Sequence, residues 1–189
     1  MKFIMPRSLR YSFLRIALPL FLVAVMSAGT LSRPGLGTVL DYYLALPEAY
    51  FMCETTPNVT REYREKQIVR KNISSGYMEA KSEGHPMQVA LFTDNKLNVS
   101  CVVLSITCGA GCMCNRFAIL QAGEKMELTD VTEKIFPNEK EIFRAAGKNR
   151  DYSLEYKLPE YGTVIKVVDS MTGKALCNIH WSGGRFVIR

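Results

Sequence analysis

Strict alternation of polar and apolar side chains runs through Asp151-Tyr-Ser-Leu-Glu-Tyr-Lys-Leu158. Successive side chains of a β-strand point to opposite faces, so this pattern predicts a strand with one face in the core and one in water. Further strand-like runs follow at short spacing: Thr163–Val168, Lys174–Trp181 and Arg185–Ile188. Turn residues at 169–173 and 182–184 separate these runs, which predicts an antiparallel meander.

The chain before the meander is also rich in predicted strands. These are Tyr50–Cys53, Tyr77–Ala80, Met87–Thr93, Val99–Cys108, Met113–Gln121 and Glu127–Val131. The segment Glu54–Ser75 has the composition of a loop. The pattern therefore predicts a mainly β fold, a single antiparallel sandwich or partly closed barrel.

Two short helices complete the predicted fold. Thr38–Leu46 places apolar residues on one helical face and ends at Pro47, so we expect it to pack on a core rather than on lipid. The second helix begins after Asn138, an N-cap residue followed three positions later by Glu141. Gly147 stands where a helix C-terminus favours glycine.

The N-terminal residues have the layout of a secretory signal peptide. Four basic residues precede the apolar run Ile16–Met26, which is followed by the small residues Ser27, Ala28 and Gly29. That run is far shorter than the roughly 20 residues that a membrane-spanning helix needs. We therefore expect a signal peptide at 1–28, an N-terminal segment at 29–48, a β-rich domain at 49–189, and a secreted or periplasmic protein. An uncleaved anchor is the alternative, and it would be the chain's only contact with a membrane.

The net charge of the chain argues against nucleic acid as a partner. The chain has 24 Lys and Arg against 18 Asp and Glu, and four of the basic residues lie in the predicted signal peptide. The remaining 20 basic and 18 acidic residues give a net charge of +2, which is not the basic footprint of a nucleic-acid-binding protein. The one basic cluster, Arg61-Glu-Tyr-Arg-Glu-Lys66, is offset by its glutamates and is typical of a solvated face.

Six cysteines follow the predicted signal peptide. They are Cys53, Cys101, Cys108, Cys112, Cys114 and Cys177. An even number in an exported chain favours disulfides, and we expect at least two, with Cys108–Cys112 the leading pair. Alternatively, Cys108, Cys112 and Cys114 are soft ligands for zinc or copper(I), although their spacing matches no zinc motif and contains no C-x-x-C unit. The main hypothesis therefore includes no metal and no cofactor.

Catalytic motifs are missing from the sequence. His85 and His180 are the only histidines, and no G-x-S-x-G elbow or phosphate-binding loop is present. Carboxylates that a glycosidase-like site would need are available, but sequence alone cannot pair them. These are Glu79, Glu83, Asp94, Glu127 and Asp130. We therefore assign no catalytic residue.

Three N-x-S/T sequons occur, at Asn58, Asn72 and Asn98. They carry meaning only in a eukaryotic source, where Asn58 and Asn72 are the candidate glycan acceptors. Asn98 leads directly into an apolar strand and is the poorest acceptor of the three.

These observations favour an exported, non-enzymatic binding or interaction domain over an enzyme, although enzymatic activity remains open. The alternatives are an exported hydrolase that uses carboxylates or a Cys/His pair, and a thiol-based metal-binding or redox protein. No stretch matches a known family motif. If 151–158 and 174–181 share a sheet, their polar faces form one mixed-charge surface suited to a protein or glycan partner, with the loops Glu54–Ser75 and Ser182–Gly184 adding specificity.

Overall fold

The computed structural model describes residues 37–51, 59–82, 84–97, 99–107, 116–123, 126–148 and 153–189. Over these residues the chain is mainly β, with two antiparallel sheets and a few short helices. The predicted signal peptide lies outside the described residues. No helix in the described ranges is long and apolar enough to cross a membrane.

The first sheet, sheet A, is an antiparallel meander of six strands in chain order. Its strands are β1 (Ile68–Asn72), β2 (Tyr77–Ser82), β3 (His85–Asp94), β4 (Val99–Ile106), β5 (Arg116–Ala122) and β6 (Leu128–Asp130). The predicted strands from Tyr77 onward are confirmed over the residues that the structure describes. Each was visible in the sequence as a short apolar run between turn residues.

The second sheet, sheet B, is the predicted C-terminal meander. Its strands are β7 (Leu154–Lys157), β8 (Val164–Asp169), β9 (Ala175–Ser182) and β10 (Arg185–Ile188). They pair antiparallel in the order β10-β9-β8-β7. Gly183 and Gly184 close the β9–β10 hairpin with φ angles of 60° and 76°, a left-handed conformation that favours glycine at both positions.

The two sheets share one hydrophobic core. Phe92, Val103 and Ile119 of sheet A belong to the same buried cluster as Ile165 and other residues of sheet B. Every second residue of β7, from Leu154, faces this cluster, as the alternation predicted. A β-sandwich fits this arrangement.

The opposite face of sheet A is covered by helices. These are α1 (Val39–Ala45) and α2 (Arg61–Gln67). Tyr42 and Tyr43 of α1 are fully buried in a second cluster with sheet A residues such as Met78 and Leu104. The prediction that the helix after Thr38 packs on a core is therefore confirmed, and its N-terminus carries a capping box formed by Thr38 and Asp41.

Two further helices connect the sheets. α3 (Thr132–Ile135) and α4 (Glu139–Ala145) lie between β6 and β7. The predicted N-cap of α4 is confirmed, because Asn138 and Glu141 cap each other reciprocally. Ile142 and Phe143 of α4 join the core between the sheets.

The prediction of a loop at Glu54–Ser75 is wrong for its described part, which contains α2 and β1. The sequence of α2 lacks a continuous apolar face, so its periodicity gave no helix signal. The solvated-face interpretation also fails at Arg64, which is only 7% exposed. The predicted strand at Tyr50–Cys53 is wrong at its start, because Glu48–Tyr50 forms a turn of 3-10 helix.

Candidate functional site

A cleft of about 660 Å³ lies where β4 and β5 approach β7. The segment from α3 to α4 forms its remaining wall. Its lining residues come from all these elements: Ser105, Ile106, Thr107, Arg116, Phe117, Thr132, Glu133, Phe136, Pro137, Asn138, Glu139, Ser153, Leu154, Glu155 and Tyr156. The cleft has the volume of a small-molecule site and combines an aromatic wall with a polar rim.

Three half-buried aromatic rings form the wall, which we call the aromatic wall: Phe117, Phe136 and Tyr156. The centroid of Phe117 lies 4.2 Å from that of Tyr156 and 4.5 Å from that of Phe136. Phe186 of β10 supports the wall from the core, with its centroid 5.5 Å from that of Phe136. The rings pack against one another at interplanar angles of 33° to 74°, so they form a fixed, faceted apolar wall.

The hydroxyl of Tyr156 remains protonated over the physiological pH range. Burial raises the pKa of Tyr156, and the nearby charge of Glu139 raises it further. The aromatic wall therefore presents a neutral hydrogen-bonding group at this position.

Three glutamates line the cleft. Glu133 and Glu139 are exposed, whereas the side chain of Glu155 is only 13% exposed. Glu155 Oε1 accepts a hydrogen bond of 3.0 Å from Thr107 Oγ1 and also pairs with Lys157 Nζ. These contacts hold the Glu155 carboxylate in place at the mouth of the cleft.

Arg116 is the one cation among the lining residues. Its Nη1 donates to the backbone carbonyl of Ala49, which directs the guanidinium toward the chain that follows α1. Because Lys157 neutralises Glu155, the remaining carboxylates of Glu133 and Glu139 against Arg116 leave the cleft with a small negative excess, which favours a ligand that carries positive charge.

The predicted histidine candidates do not meet a described cysteine. His180 lies on the face of β9 opposite the buried side chains of Ile179 and Trp181, whereas Cys177 packs against the core. His85 is the first residue of β3. Cys101 lies opposite Phe92 of the same strand. Phe92 is seven residues from His85, a distance of roughly 23 Å along β3. His180 and Cys177 therefore lie on opposite faces of β9, and His85 and Cys101 are too far apart to form a pair.

Cys101 and Cys177 are free thiols in the structure. Burial raises the pKa of Cys101 to about 11 and also raises the pKa of Cys177, so both thiols are poor nucleophiles at neutral pH. The other candidates, Cys53, Cys108, Cys112 and Cys114, lie outside the described residues. The disulfide and metal hypotheses for them therefore remain predictions.

In the part of the chain that the structure describes, no cluster of three or more His, Cys, Asp or Glu residues is arranged to hold a metal ion. The turn at 169–173 is held by local hydrogen bonding. Asp169 Oδ1 accepts from the backbone N–H of Met171, and Asp169 Oδ2 accepts from Thr172 Oγ1. As the sequence indicated, this is a hairpin turn.

Among the carboxylates that sequence analysis singled out, those within the described residues lie outside the cleft. Glu79 pairs with Arg70, Asp94 accepts from two backbone N–H groups in its own turn, and Asp130 accepts from Thr132. Glu127 is exposed beside β6, and Glu83 lies outside the described residues. The lining carboxylates were missed because they come from α3, α4 and β7, and no local pattern links these elements.

Of the sequons, only Asn72 lies within the described residues. Its Nδ2 donates to Glu160 Oε1 at 3.2 Å and to the hydroxyl oxygen of Tyr161 at 3.0 Å. A glycan attached to Nδ2 would replace one of the two hydrogens that make these bonds. Glycosylation at Asn58 and Asn72 remains a prediction.

The predicted polar surface has the required geometry. β7 and β9 belong to the same sheet, with β8 between them, and the exposed residues Lys157 and Asn178 point away from the core. His180, on the same face, is half-buried. The Ser182–Gly184 turn stands at one end of this face.

Comparison of the chain with family models, with curated proteins and with solved structures finds no match.

Proposed function

We propose that the chain is an exported, non-enzymatic binding domain, secreted or periplasmic, whose cleft holds a small ligand or the side chain of a partner. The aromatic wall, Phe117, Phe136 and Tyr156, carries this proposal, because its mutually packed rings form a fixed apolar surface inside a cleft of about 660 Å³. Rings stacked at 4.2 and 4.5 Å are held by one another and lose little freedom when a ligand stacks on them.

The charges around the cleft support a more specific ligand class. Glu133, Glu139 and Glu155 surround an aromatic surface, and aromatic faces attract cations. A ligand with a planar apolar group and an ammonium or guanidinium group would satisfy both features. Exposed carboxylates such as Glu133 and Glu139 suit charge attraction better than proton transfer, which supports binding rather than catalysis.

Two probes of similar shape and opposite charge test this proposal. We expect tryptamine to raise the melting temperature and to give measurable heat in titration calorimetry, while indole-3-propionate does neither. Glu139→Gln should weaken tryptamine binding about twofold to fivefold, in line with the value of one exposed charge pair. Glu127→Gln, which removes the same charge outside the cleft, serves as the matched control.

The contribution of the aromatic wall to tryptamine binding is tested with a separate variant. Phe117→Leu keeps an apolar residue in β5 but removes the central ring of the aromatic wall, and we expect it to abolish detectable tryptamine binding in protein of unchanged fold. Equal binding of the two probes, or equal loss in Glu139→Gln and Glu127→Gln, would rule out this ligand class. Binding unaffected by Phe117→Leu would rule out the cleft.

A hydrolase is the second candidate, because three glutamates line one cleft. In that case Glu139→Gln and Glu155→Gln would each abolish turnover of a chromogenic substrate, such as a nitrophenyl glycoside, with folding unchanged.

The thiol-based metal or redox alternative rests on Cys108, Cys112 and Cys114. Elemental analysis showing zinc or copper near one atom per chain would favour it.

A further inference from the structure

The outer face of sheet B carries a row of cations in which, among the described residues, only Lys157 pairs with a carboxylate, that of Glu155. Lys157 lies directly opposite Lys166 across β7 and β8, and Lys166 lies opposite Asn178 of β9. The row continues to Arg189, whose N–H donates to the carbonyl of Asn178 at 3.3 Å. With strands about 4.8 Å apart, the row spans about 14 Å in a line across the sheet.

Little negative charge offsets this row. Among the described residues Glu155 pairs with Lys157, whereas Lys166, Arg185 and Arg189 are exposed and form no ion pair with a described residue. Like charges directly opposite each other destabilise a sheet. Glu155 relieves this repulsion at Lys157, which leaves Lys166, Arg185 and Arg189 as the charges available to a bound anion.

Polar hydrogen-bonding groups run through the middle of the same face. On β9, Asn178, His180 and Ser182 alternate with the buried Ile179 and Trp181, so their side chains point outward. These amide, imidazole and hydroxyl groups lie between the cations of β8 and those of β10. They match a ligand whose hydroxyl groups alternate with anionic groups.

We propose that the outer face of sheet B binds an acidic polysaccharide, in which sulfate or carboxylate groups pair with the cations and sugar hydroxyls with the β9 side chains. A membrane surface would not use the polar hydrogen-bonding groups of β9. Nucleic acid fits poorly because the described residues of these four strands place no Phe, Tyr or Trp on this face for base stacking. This surface adjoins the cleft through the Lys157–Glu155 pair, but Lys166, Asn178, Arg185 and Arg189 do not line the cleft, so either proposal can fail alone.

Biolayer interferometry with the purified protein tests the proposal at physiological ionic strength. The surfaces are heparin, polygalacturonate, neutral dextran, phosphatidylglycerol-containing vesicles and a single-stranded oligonucleotide. We expect binding to heparin or polygalacturonate and none to dextran. The triple variant Lys166→Gln, Arg185→Gln and Arg189→Gln should raise the dissociation constant about tenfold or more.

A matched variant distinguishes the loss of charges on sheet B from a general decrease in the net charge of the protein. Lys71→Gln, Lys81→Gln and Lys140→Gln together remove the same charge from exposed positions outside sheet B, and we expect a change below about twofold. Asn178→Val changes no charge and keeps a strand-favouring residue, so it should weaken polysaccharide binding by removing hydroxyl recognition. Circular dichroism and melting temperature confirm that each variant is folded.

Three results would overturn the proposal. These are an equal loss in the two triple variants, an unchanged affinity in Asn178→Val, or binding to vesicles or oligonucleotide without binding to either polysaccharide. The first would mean that only net charge matters, and the second that no sugar hydroxyl is recognised. The third would reassign the face to another class of anion.

Discussion

Arg70 Nη1 donates to Glu160 Oε2 at 3.0 Å, and this ion pair joins the edge of sheet A to the loop that follows β7 of sheet B. The same guanidinium also donates through Nη2 to Glu79 Oε1 at 2.9 Å on the neighbouring strand β2. Asn72 adds a parallel hydrogen bond to Glu160. Polar contacts at this edge thus supplement the shared core in holding the two sheets together.

The pH dependence of stability reports on the ion pair between Arg70 and Glu79. The hydrogen bond from Arg70 lowers the pKa of Glu79 below its ordinary value of 4.5, and a further hydrogen bond from Tyr77 has the same effect. The unfolded chain therefore binds the proton more tightly, so stability from Glu79 is present above about pH 5 and is lost as pH falls through the lowered pKa. We expect Glu79→Gln to lower the melting temperature at pH 7, and we expect the difference from the wild type to shrink as the pH falls below 4.5. A constant difference across this range would contradict the linkage.

Arg64 is predicted to be the most sensitive charged residue of the helical layer. Its Nη1 donates to the carbonyls of Leu44 and Leu46 at 2.6 and 2.7 Å, and its guanidinium lies over the ring of Phe51. Arg64→Ala leaves both carbonyls without this donor and should cost about 3 kcal/mol in urea denaturation. Arg61→Ala, which removes an exposed pair on the same helix, should cost less than about 0.5 kcal/mol. Similar costs for both variants would show that burial of Arg64 adds no stability.

The thiol count tests the disulfide hypothesis. Cys101 and Cys177 are free, so two disulfides require Cys53, Cys108, Cys112 and Cys114 to pair among themselves. We therefore expect two alkylated thiols per chain when natively exported protein is denatured and alkylated without reductant. Intact mass gives the number directly. Six alkylated thiols would reject the disulfides and favour the metal alternative.

Native thiol reactivity provides a separate prediction. Burial raises the pKa of Cys101 to about 11, and Cys101 has no exposed surface. At pH 8 a thiol reagent should therefore modify Cys101 only as fast as the protein opens, while the half-buried Cys177 reacts earlier. Peptide mapping after timed exposure distinguishes the two residues. Rapid labelling of Cys101 would indicate that the core between the sheets opens readily.

The α4 cap gives a prediction that depends on local structure alone. Asn138 Oδ1 accepts from the N–H of Glu141 at 3.0 Å, and Glu141 Oε2 accepts from the N–H of Asn138 at 3.0 Å. Asn138→Ala should lower the free energy of unfolding by about 1 kcal/mol, whereas Asn138→Asp should be nearly neutral because Asp also caps helices. Equal losses in both variants would mean that the side-chain amide has another role. Asn138 also lines the cleft, so ligand binding should be measured in both variants.

Local chemistry explains why much of the fold was predictable from the sequence. The alternation at 153–158, the paired glycines at 183–184 and the capping pair Asn138–Glu141 each act through neighbours a few residues away. Such short-range rules are readable in a single sequence. By contrast, α2 has no periodic apolar face, and it is held partly by the buried contacts of Arg64 with the chain after α1. A pattern search over 61–67 could not detect those contacts.

The sequence by itself determined the strand pattern, the helix caps, the turns and the mainly β class, because backbone preference and face alternation are set by nearby residues. Only the tertiary structure decided which polar and aromatic side chains meet. Phe117, Phe136 and Tyr156 come from β5, from the end of α3 and from β7, and they form one wall because both sheets bury their apolar faces in a shared core. Lys157, Lys166 and Arg189 form one row because strand register, set by that same burial, aligns residues that are distant in the chain.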